Sequence, residues 1–493
     1  MPAVDPAVRG LTAQQQIAAA SKISDLFIEA EPGSGKTTVA AQRYGVLRYL
    51  GAHDDRAVLA VSFTRSATAE LRTRVRRTWG PSASYWPHRI GTIDFLLRRL
   101  VRALLADRHI EWIGDHVEID VINDWRSVTT VSWGERQARV GLIDRRVVVR
   151  WVPARNRKWP TLSDVEEHVG SGTCTHDDIR TVLTDALEVP ALAEVLKQHL
   201  ATTVRSIIVD EVFDANGLDL AVVQLALDAG VAVTIIGDPW QALYGFRGAR
   251  PDLVPEMVKD RGMRSLPLTA SFRWDTDEQR ELATNLRAGA GVVLPQGDIS
   301  DADVALAFKW DTLWSIAPRV LPIAFPPYSD NDEGRAAETL LLNQVTRNAF
   351  LLDAAALGES LKVLEIADTD VRRDLEPALN AIVVRLHAGD GADEIHQALS
   401  EMLYERLGRP LRNAMVHDDR LRIEALRARV ANDDALVPGL TIHQAKGREW
   451  DCVAVRLDAG EREALARGLT SERESFRMVY VACTRARRRT FAV

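Results

Sequence analysis

Five side chains of this sequence have the types and spacing for phosphate chemistry: Lys36, Thr37, Asp210, Glu211 and Gln241. Lys36 and Thr37 close the stretch Ala30-Glu31-Pro32-Gly33-Ser34-Gly35-Lys36-Thr37, a loop of the P-loop type with Ala30 where the general pattern has Gly. Its glycines let backbone N–H groups turn inward onto phosphate oxygens. Lys36 then reaches the β- and γ-phosphates, and the Thr37 hydroxyl ligates Mg²⁺. Asp210-Glu211 ends the run Val204 to Val209; the first carboxylate holds the metal and the second orients or deprotonates the attacking water. Gln241 follows another apolar run, Val231 to Ile236, and is placed to sense a γ-phosphate. These are the parts of a nucleoside triphosphatase.

Such groups need rigid elements to aim them. Leu26-Phe27-Ile28 predicts a strand entering the loop, and the helical segment after it turns the positive end of its dipole toward the same anion. Ala57 to Phe63 reads as a second buried strand, followed by Thr64-Arg65-Ser66 and a helix over Ala67 to Arg77. The arginines of that helix (Arg72, Arg74, Arg76, Arg77) suit a solvated face. Ile90-Gly91-Thr92-Ile93-Asp94-Phe95 leads into a further helix with Arg98, Arg99 and Arg102. Ahead of the loop, Leu11 to Ile17 opens a short helix from which a Gln amide could meet both edges of adenine. Beyond Gln241, the residues Tyr244, Phe246 and Arg247 offer stacking surfaces and a phosphate or cation–π contact.

From Ala106 to Ser171 the character shifts toward strands, expected over Val117 to Ile122, Val128 to Trp133 and Val147 to Val152. Trp112, Trp125, Trp133, Trp151 and Trp159 fall here, close to Arg155, Arg157 and Lys158. Two readings stand: a surface that stacks bases, or a small β subdomain with tryptophan in its core, the commoner use. Helical periodicity resumes over Thr175 to Ala201. Later, Val304 to Thr346 reads as strand-rich and Asp370 to Val430 as helical.

Composition bounds the answer. The 493 residues suffice for about three domains, and 46% hydrophobic with 27% charged residues is ordinary for a globular chain. No apolar run is long enough to span a membrane and MPAVDPAVRG lacks a signal-peptide core, so a cytoplasmic protein without a membrane partner is expected. Three cysteines, far apart, exclude a disulfide framework and zinc or iron–sulfur spacing. A net charge of −7 excludes a generally basic coat but not a local basic groove.

Taken in order, these blocks resemble the UvrD/Rep family of superfamily 1 DNA helicases. The likeness continues through Leu268-Thr269-Ala270-Ser271-Phe272-Arg273 (motif IV), Leu440 to Asp451 (motif V) and Val479 to Ala486 (motif VI). Gln15 is similar to the Q motif, Ser62-Phe63-Thr64 to motif Ia, and Gly91-Thr92 to motif Ib. The resemblance implies an α/β fold of two RecA-like P-loop motor domains with parallel sheets, ATP lying in the cleft between them. By it the first motor comprises 1–105 and 172–275, with a strand- and Trp-rich insert over 106–171. The second motor comprises 276–350 and 436–493, interrupted by a reduced helical insertion over 351–435.

The resemblance also assigns roles. ATP and Mg²⁺ are the implied cofactors, with Gln15 reading adenine and Phe272 stacking on it. Ala30, Glu31, Pro32, Gly33, Ser34, Gly35, Lys36, Thr37 and Thr38 surround the phosphates, and Thr37 and Asp210 take the metal. Glu449 meets the ribose, and Arg273 and Arg485 act as arginine fingers. Single-stranded DNA is implied to lie across Phe63, Thr64, Thr92, Tyr244, Phe246, Arg247, Thr441 and His443. Movement is then 3′→5′, with single-strand/duplex junctions as targets.

Departures from the family pattern suggest a second role. Motif II has Phe213 where the family has Gln, motif Ib has Ile93 and Asp94 where an aromatic and a His are usual, and motif IV has Ser271 for Asn. With the trimmed insertion, Phe213 and Asp94 motivate an alternative: a DNA- or nucleotide-sensing regulatory ATPase of a partner nuclease. Compact members of this kind resemble helicases encoded beside a nuclease in phage-defence systems such as Gabija.

Overall fold

The apolar runs that flank the candidate residues form parallel strands buried on both faces. The structure is a computed structural model that describes residues 10–50, 53–123, 125, 132–133, 136–153, 160–161, 165–326, 333–366, 375–412, 416–431 and 435–493. It comprises two units, Met1–Phe272 and Arg273–Val493. In the first, β1 (Leu26–Ala30), β2 (Ala57–Ser62), β3 (Arg89–Thr92), β4 (Val204–Asp210), β5 (Ala232–Gly237) and β6 (Arg264–Leu268) make one sheet in the order β6-β1-β5-β4-β2-β3. All its pairings are parallel.

Period-two alternation divides the strand residues between two cores. Phe27, Leu59, Val61, Ile207, Val209 and Ile235 face one side, while Ile28, Val58, Ala60, Ile208 and Ile236 face the other. The second core is closed by α1 (Ala13–Ala20), α2 (Lys36–Leu50) and α3 (Arg65–Trp79), through Ala18, Val39, Tyr44, Leu71 and Val75. The first core takes α4 (Ile93–Ala106), whose Leu96, Leu97, Leu100, Val101 and Leu104 form a buried stripe. Phe95, Arg98 and Arg102 of α4 remain exposed. Arg43 is buried and ties three segments together, donating to Thr234 Oγ1 and to the carbonyls of Ala18, Ser21 and Ile23. Burial pushes its pKa down to about 10.

The insert is built on an antiparallel hairpin, Arg136–Ile143 with Arg146–Pro153, anchored where the Leu142 N–H donates to Asp185 Oδ2 at 2.7 Å. Of the strand expected over Val117 to Ile122, Asp120–Ile122 forms, paired with Thr173–Thr175. Trp112 is core and donates its indole N–H to the Val169 carbonyl; Trp125 packs at the core margin beside His168. Trp151 donates to Glu166. Arg155, Arg157, Lys158, Trp159, the segment 128–131 and the side chain of Trp133 lie outside the described residues.

In the second unit β7 (Val304–Ala307), β8 (Val320–Pro322), β9 (Val437–Thr441), β10 (Trp450–Val455) and β11 (Ala486–Ala492) form a parallel sheet ordered β8-β9-β7-β10-β11. The strand-rich reading of Val304 to Thr346 needs correction, because Glu333–Phe350 is a helix buried on nearly every face. It packs with Leu357–Val363, Glu376–Ala388, Ala392–Leu407 and Val416–Val430 into one helical group. That group therefore begins at Glu333, before the expected 351. Because it buries polar Glu338, Asn343 and Gln344 along with its leucines, burial leaves no apolar period, and its Leu340-Leu341-Leu342 run looks like a buried strand in sequence.

Candidate active site

Register brings the chemistry to one edge of the first sheet. Ile28 lies opposite Ile236, and Ile236 opposite Asp210, so the ends of β1, β5 and β4 stand level. The loop after Ala30, the Asp210 carboxylate and the Gly237–Gln241 turn therefore share the carboxyl-terminal edge, where parallel α/β sheets take ligands. On the other flank β6 pairs Leu268 with Ala30, and the chain beyond it stays with the loop. Glu31 N–H donates to the Leu268 carbonyl and Phe272 N–H to the Gly33 carbonyl, each at 3.0 Å. That second bond fixes Phe272, whose ring is 64% exposed, beside the loop as an open stacking face.

The loop is shaped for an anion. Gly33 and Gly35 have φ of 74° and 83°, a conformation that L side chains avoid, and a Cβ on Gly35 would meet Gln15 Nε2 at 2.6 Å. The Ser34 hydroxyl is buried and has no hydrogen-bond partner among the described residues. An orphaned hydroxyl inside a glycine cradle at the start of α2 suits phosphate oxygens.

Lys36 Nζ lies 3.3 Å from Glu211 Oε1. Asp210 is buried beside them, its Oδ1 accepting from the Glu211 N–H at 3.0 Å. Burial and the neighbouring Glu211 charge hold Asp210 well above the usual carboxylate range, against the opposing pull of Lys36. Glu211 is left-handed, with φ 60° and ψ 41°, a strained setting for a non-glycine residue and one that clusters at functional sites. Thr37 and Asp210 supply hard oxygen donors, and a second carboxylate, Glu211, adjoins Asp210, so the set fits Mg²⁺. Thr38 instead accepts from Arg74 Nη1 at 2.8 Å.

Gln241 is buried and donates through Nε2 to Asp238 Oδ2 at 2.7 Å, while Asp238 Oδ1 also receives the Trp240 N–H. Asp238 is thus a positioning residue for Gln241. Gln15 is buried beside the loop. Its Nε2 donates to the Ser34 carbonyl at 2.9 Å and its Oε1 accepts from Thr12 N–H at 3.0 Å, so its amide braces the loop. Its neighbour Gln14, not singled out from sequence, bonds Thr269 through both ends of its amide.

The departures in motifs II and Ib have packing explanations. Phe213 is core, edge-on to Phe27 at 6.2 Å, and a Cβ on Gly237 would fall 2.7 Å from its ring. Ile93 is likewise buried. Asp94 pairs with Arg180 at 2.8 Å, and Arg180 also holds Asp219 at 3.0 Å, so its charge is compensated within the unit.

Among the candidate DNA contacts, Tyr244 and Phe246 stand edge-to-face at 6.0 Å, with Arg247 over both rings at 5.1 and 5.4 Å. Phe246 is 65% exposed. Phe63 is half-buried against the core, and the Thr64 hydroxyl caps α3 by accepting the Ala67 N–H. Thr92 starts α4 without a side-chain cap.

The second unit gathers its own set. Arg273 Nε lies 3.1 Å from Glu449 Oε2, and its Nη1 donates to the Thr484 carbonyl at 3.0 Å. The next residue, Arg485, is fully buried, its Nε donating to Val481. Thr441 is buried at the end of β9, with its N–H on Gln444 Oε1, and His443 is half-buried in the turn that follows.

Comparison with known proteins accords with this layout. Residues 11–140 and 164–261 match the model of the UvrD/REP helicase N-terminal domain. The chain belongs to the UvrD/Rep helicase family. The matched segments contain the P-loop, Asp210, Glu211, Gln241 and the Tyr244–Arg247 cluster. The chain is 26% identical to DNA helicase II of Salmonella typhimurium over 282 residues, covering 53% of this chain and 38% of that protein. It is 24% identical to ATP-dependent DNA helicase UvrD2 of Mycobacterium tuberculosis over 568 aligned positions, covering 98% of this chain and 78% of that one. Against DNA helicase II it spans less than half of the relative's length. Among the described residues no helix is long and apolar enough to cross a membrane.

Proposed function

We propose that this UvrD/Rep-family chain is an ATP-dependent DNA helicase that translocates 3′→5′ on single-stranded DNA and opens duplex at junctions, in the cytoplasm. The observation that carries the reading is the Lys36–Glu211 pair beside buried Asp210, under a loop whose Ser34 hydroxyl awaits an acceptor or donor. In this reading the loop N–H groups and Lys36 hold the phosphate chain, and Phe272 stacks the base with Gln15 keeping the loop in place. Glu211 orients the attacking water and takes its proton, a role for which its strained backbone fixes the carboxylate. Thr37 and Asp210 would hold Mg²⁺, which when bound neutralises developing phosphoryl charge. Gln241, held by Asp238, reports on the γ-phosphate, and Arg273 and Arg485 supply guanidinium charge. Glu449, which holds Arg273, is freed for the ribose when that arginine moves. Tyr244, Phe246 and Arg247 grip bases and phosphates, with Phe63, Thr64, Thr92, Thr441 and His443 extending the track.

The regulatory alternative loses two of its motives, since Phe213 and Asp94 are accounted for by packing and pairing. The deciding experiment measures ATP turnover with and without single-stranded DNA, then strand displacement on matched 3′- and 5′-tailed duplexes. Stimulated turnover that disappears in Lys36→Ala, with displacement on the 3′ tail only, is expected. Turnover indifferent to DNA would overturn the reading.

A further inference from the structure

One cavity among the described residues lies away from the P-loop. It encloses about 1090 Å³ and is lined by the loops that precede β2 and β3, the flank of α4 and the last residues of Pro190–Thr203. In a parallel sheet these are amino-terminal strand ends, so the cavity opens on the edge opposite the P-loop. Five arginines line it, Arg56, Arg89, Arg98, Arg99 and Arg102, against two carboxylates, Asp54 and Asp55. Arg56 is paired with Asp54 at 2.8 Å and Arg102 with Glu118, while Arg98 donates to the Ile119 carbonyl. Arg99 has no hydrogen-bond or ion-pair partner among the described residues, and burial with Arg89 nearby disfavours its charge. An uncompensated, half-buried guanidinium costs stability unless an anion meets it. The lining also carries Trp86, 80% exposed, and Phe95, 37% exposed and packed against Gly91.

We propose that this cavity is a second nucleic-acid site, holding a short single-stranded segment with phosphates on Arg99, Arg98 and Arg102 and a base on Trp86. Arginine combined with open aromatic faces is the combination that binds single strands without sequence preference. Arg98 and Arg102 stand one turn apart on α4, about 6 Å of rise, comparable to the step between phosphates of a stretched strand. The volume exceeds the usual small-ligand range of about 300–1,000 Å³, which favours several linked nucleotides over one. The proposal does not depend on the motor reading, because none of these residues belongs to the P-loop edge or to the Tyr244–Arg247 cluster.

The test is photo-crosslinking of the full chain, without nucleotide, to a thymidine octamer carrying 5-iodouracil, with adducts mapped by peptide mass. An adduct on the peptide containing Trp86 is expected, falling about tenfold in Arg99→Gln and lost in Trp86→Ala, both at unchanged melting temperature. Octamer affinity should lose about one unit of salt slope in Arg99→Gln. Adducts at Tyr244 or Phe246 read the motor track separately and should persist in both variants. No adduct at Trp86, an undiminished one in both variants, or equal blocking by thymidine monophosphate or polyglutamate would overturn the proposal. Trp86→Ala removes only exposed surface, so it keeps the test decisive if Arg99→Gln misfolds.

Discussion

The Lys36 ammonium and the Glu211 carboxylate lie 3.3 Å apart, across the mouth of the loop that begins at Ala30. A carboxylate that neutralises the P-loop lysine must surrender it when phosphates arrive, so the pair sets a resting state. Glu211 then turns to water. Glu211→Gln should retain nucleotide binding while turnover falls about 10²–10⁴-fold, the range for loss of a general base. Lys36→Ala should lose both. Equilibrium binding of a fluorescent nucleotide alongside phosphate release separates the two outcomes.

The same residue stores strain. With φ at 60°, Glu211 sits where glycine is at ease, so Glu211→Gly should raise the melting temperature by a few degrees while abolishing turnover. A lower melting temperature would show that the salt bridge to Lys36 outweighs the backbone strain.

Phe213 occupies a position where the family pattern carries Gln, and restoring that Gln should not restore a contact. The side chain would have to bury an amide against Phe27 and Gly237. Phe213→Gln is expected to destabilise by about 3 kcal/mol or more, from lost packing plus an unsatisfied amide. Urea denaturation would show a lower midpoint, with DNA-stimulated turnover no higher than wild type at temperatures where both are folded.

These cases mark what local pattern can reveal. The P-loop, Asp210-Glu211 and their flanking strands were legible because their signals lie within a few residues and the strands alternate faithfully between two cores. What escaped depends on partners far along the chain. The Gln15 amide donates to the Ser34 carbonyl, nineteen positions away, and Asp94 is compensated by Arg180, eighty-six positions away. Asp238 anchors Gln241 through a 3₁₀ turn (Pro239–Gln241), a contact that no helical or strand period announces. The helix Glu333–Phe350 was missed because full burial erases the period by which helices are read.

Asp238→Ala should release Gln241 without emptying the phosphate site. Turnover is expected to fall about tenfold with nucleotide affinity nearly unchanged, and Asp238→Asn, which retains an oxygen acceptor, should recover part of it. Equal losses in both variants would mean that Asp238 acts through its charge rather than through Gln241.

His88 provides the pH test. It is buried, with Nδ1 accepting the Val58 N–H at 3.0 Å, and burial, with Arg48, Arg205 and Arg89 around it, pushes its pKa from 6.5 down to about 4. A base whose folded pKa is depressed contributes stability that is present above its unfolded value and lost as pH falls toward the folded one. Melting temperature should therefore hold steady above pH 6.5 and decline between 6.5 and about 4. His88→Asn can still accept from Val58 through its amide oxygen but takes up no proton, so its curve should be flatter over that window. A decline of the same size in the variant would assign the acid sensitivity to other groups and leave His88 as packing alone.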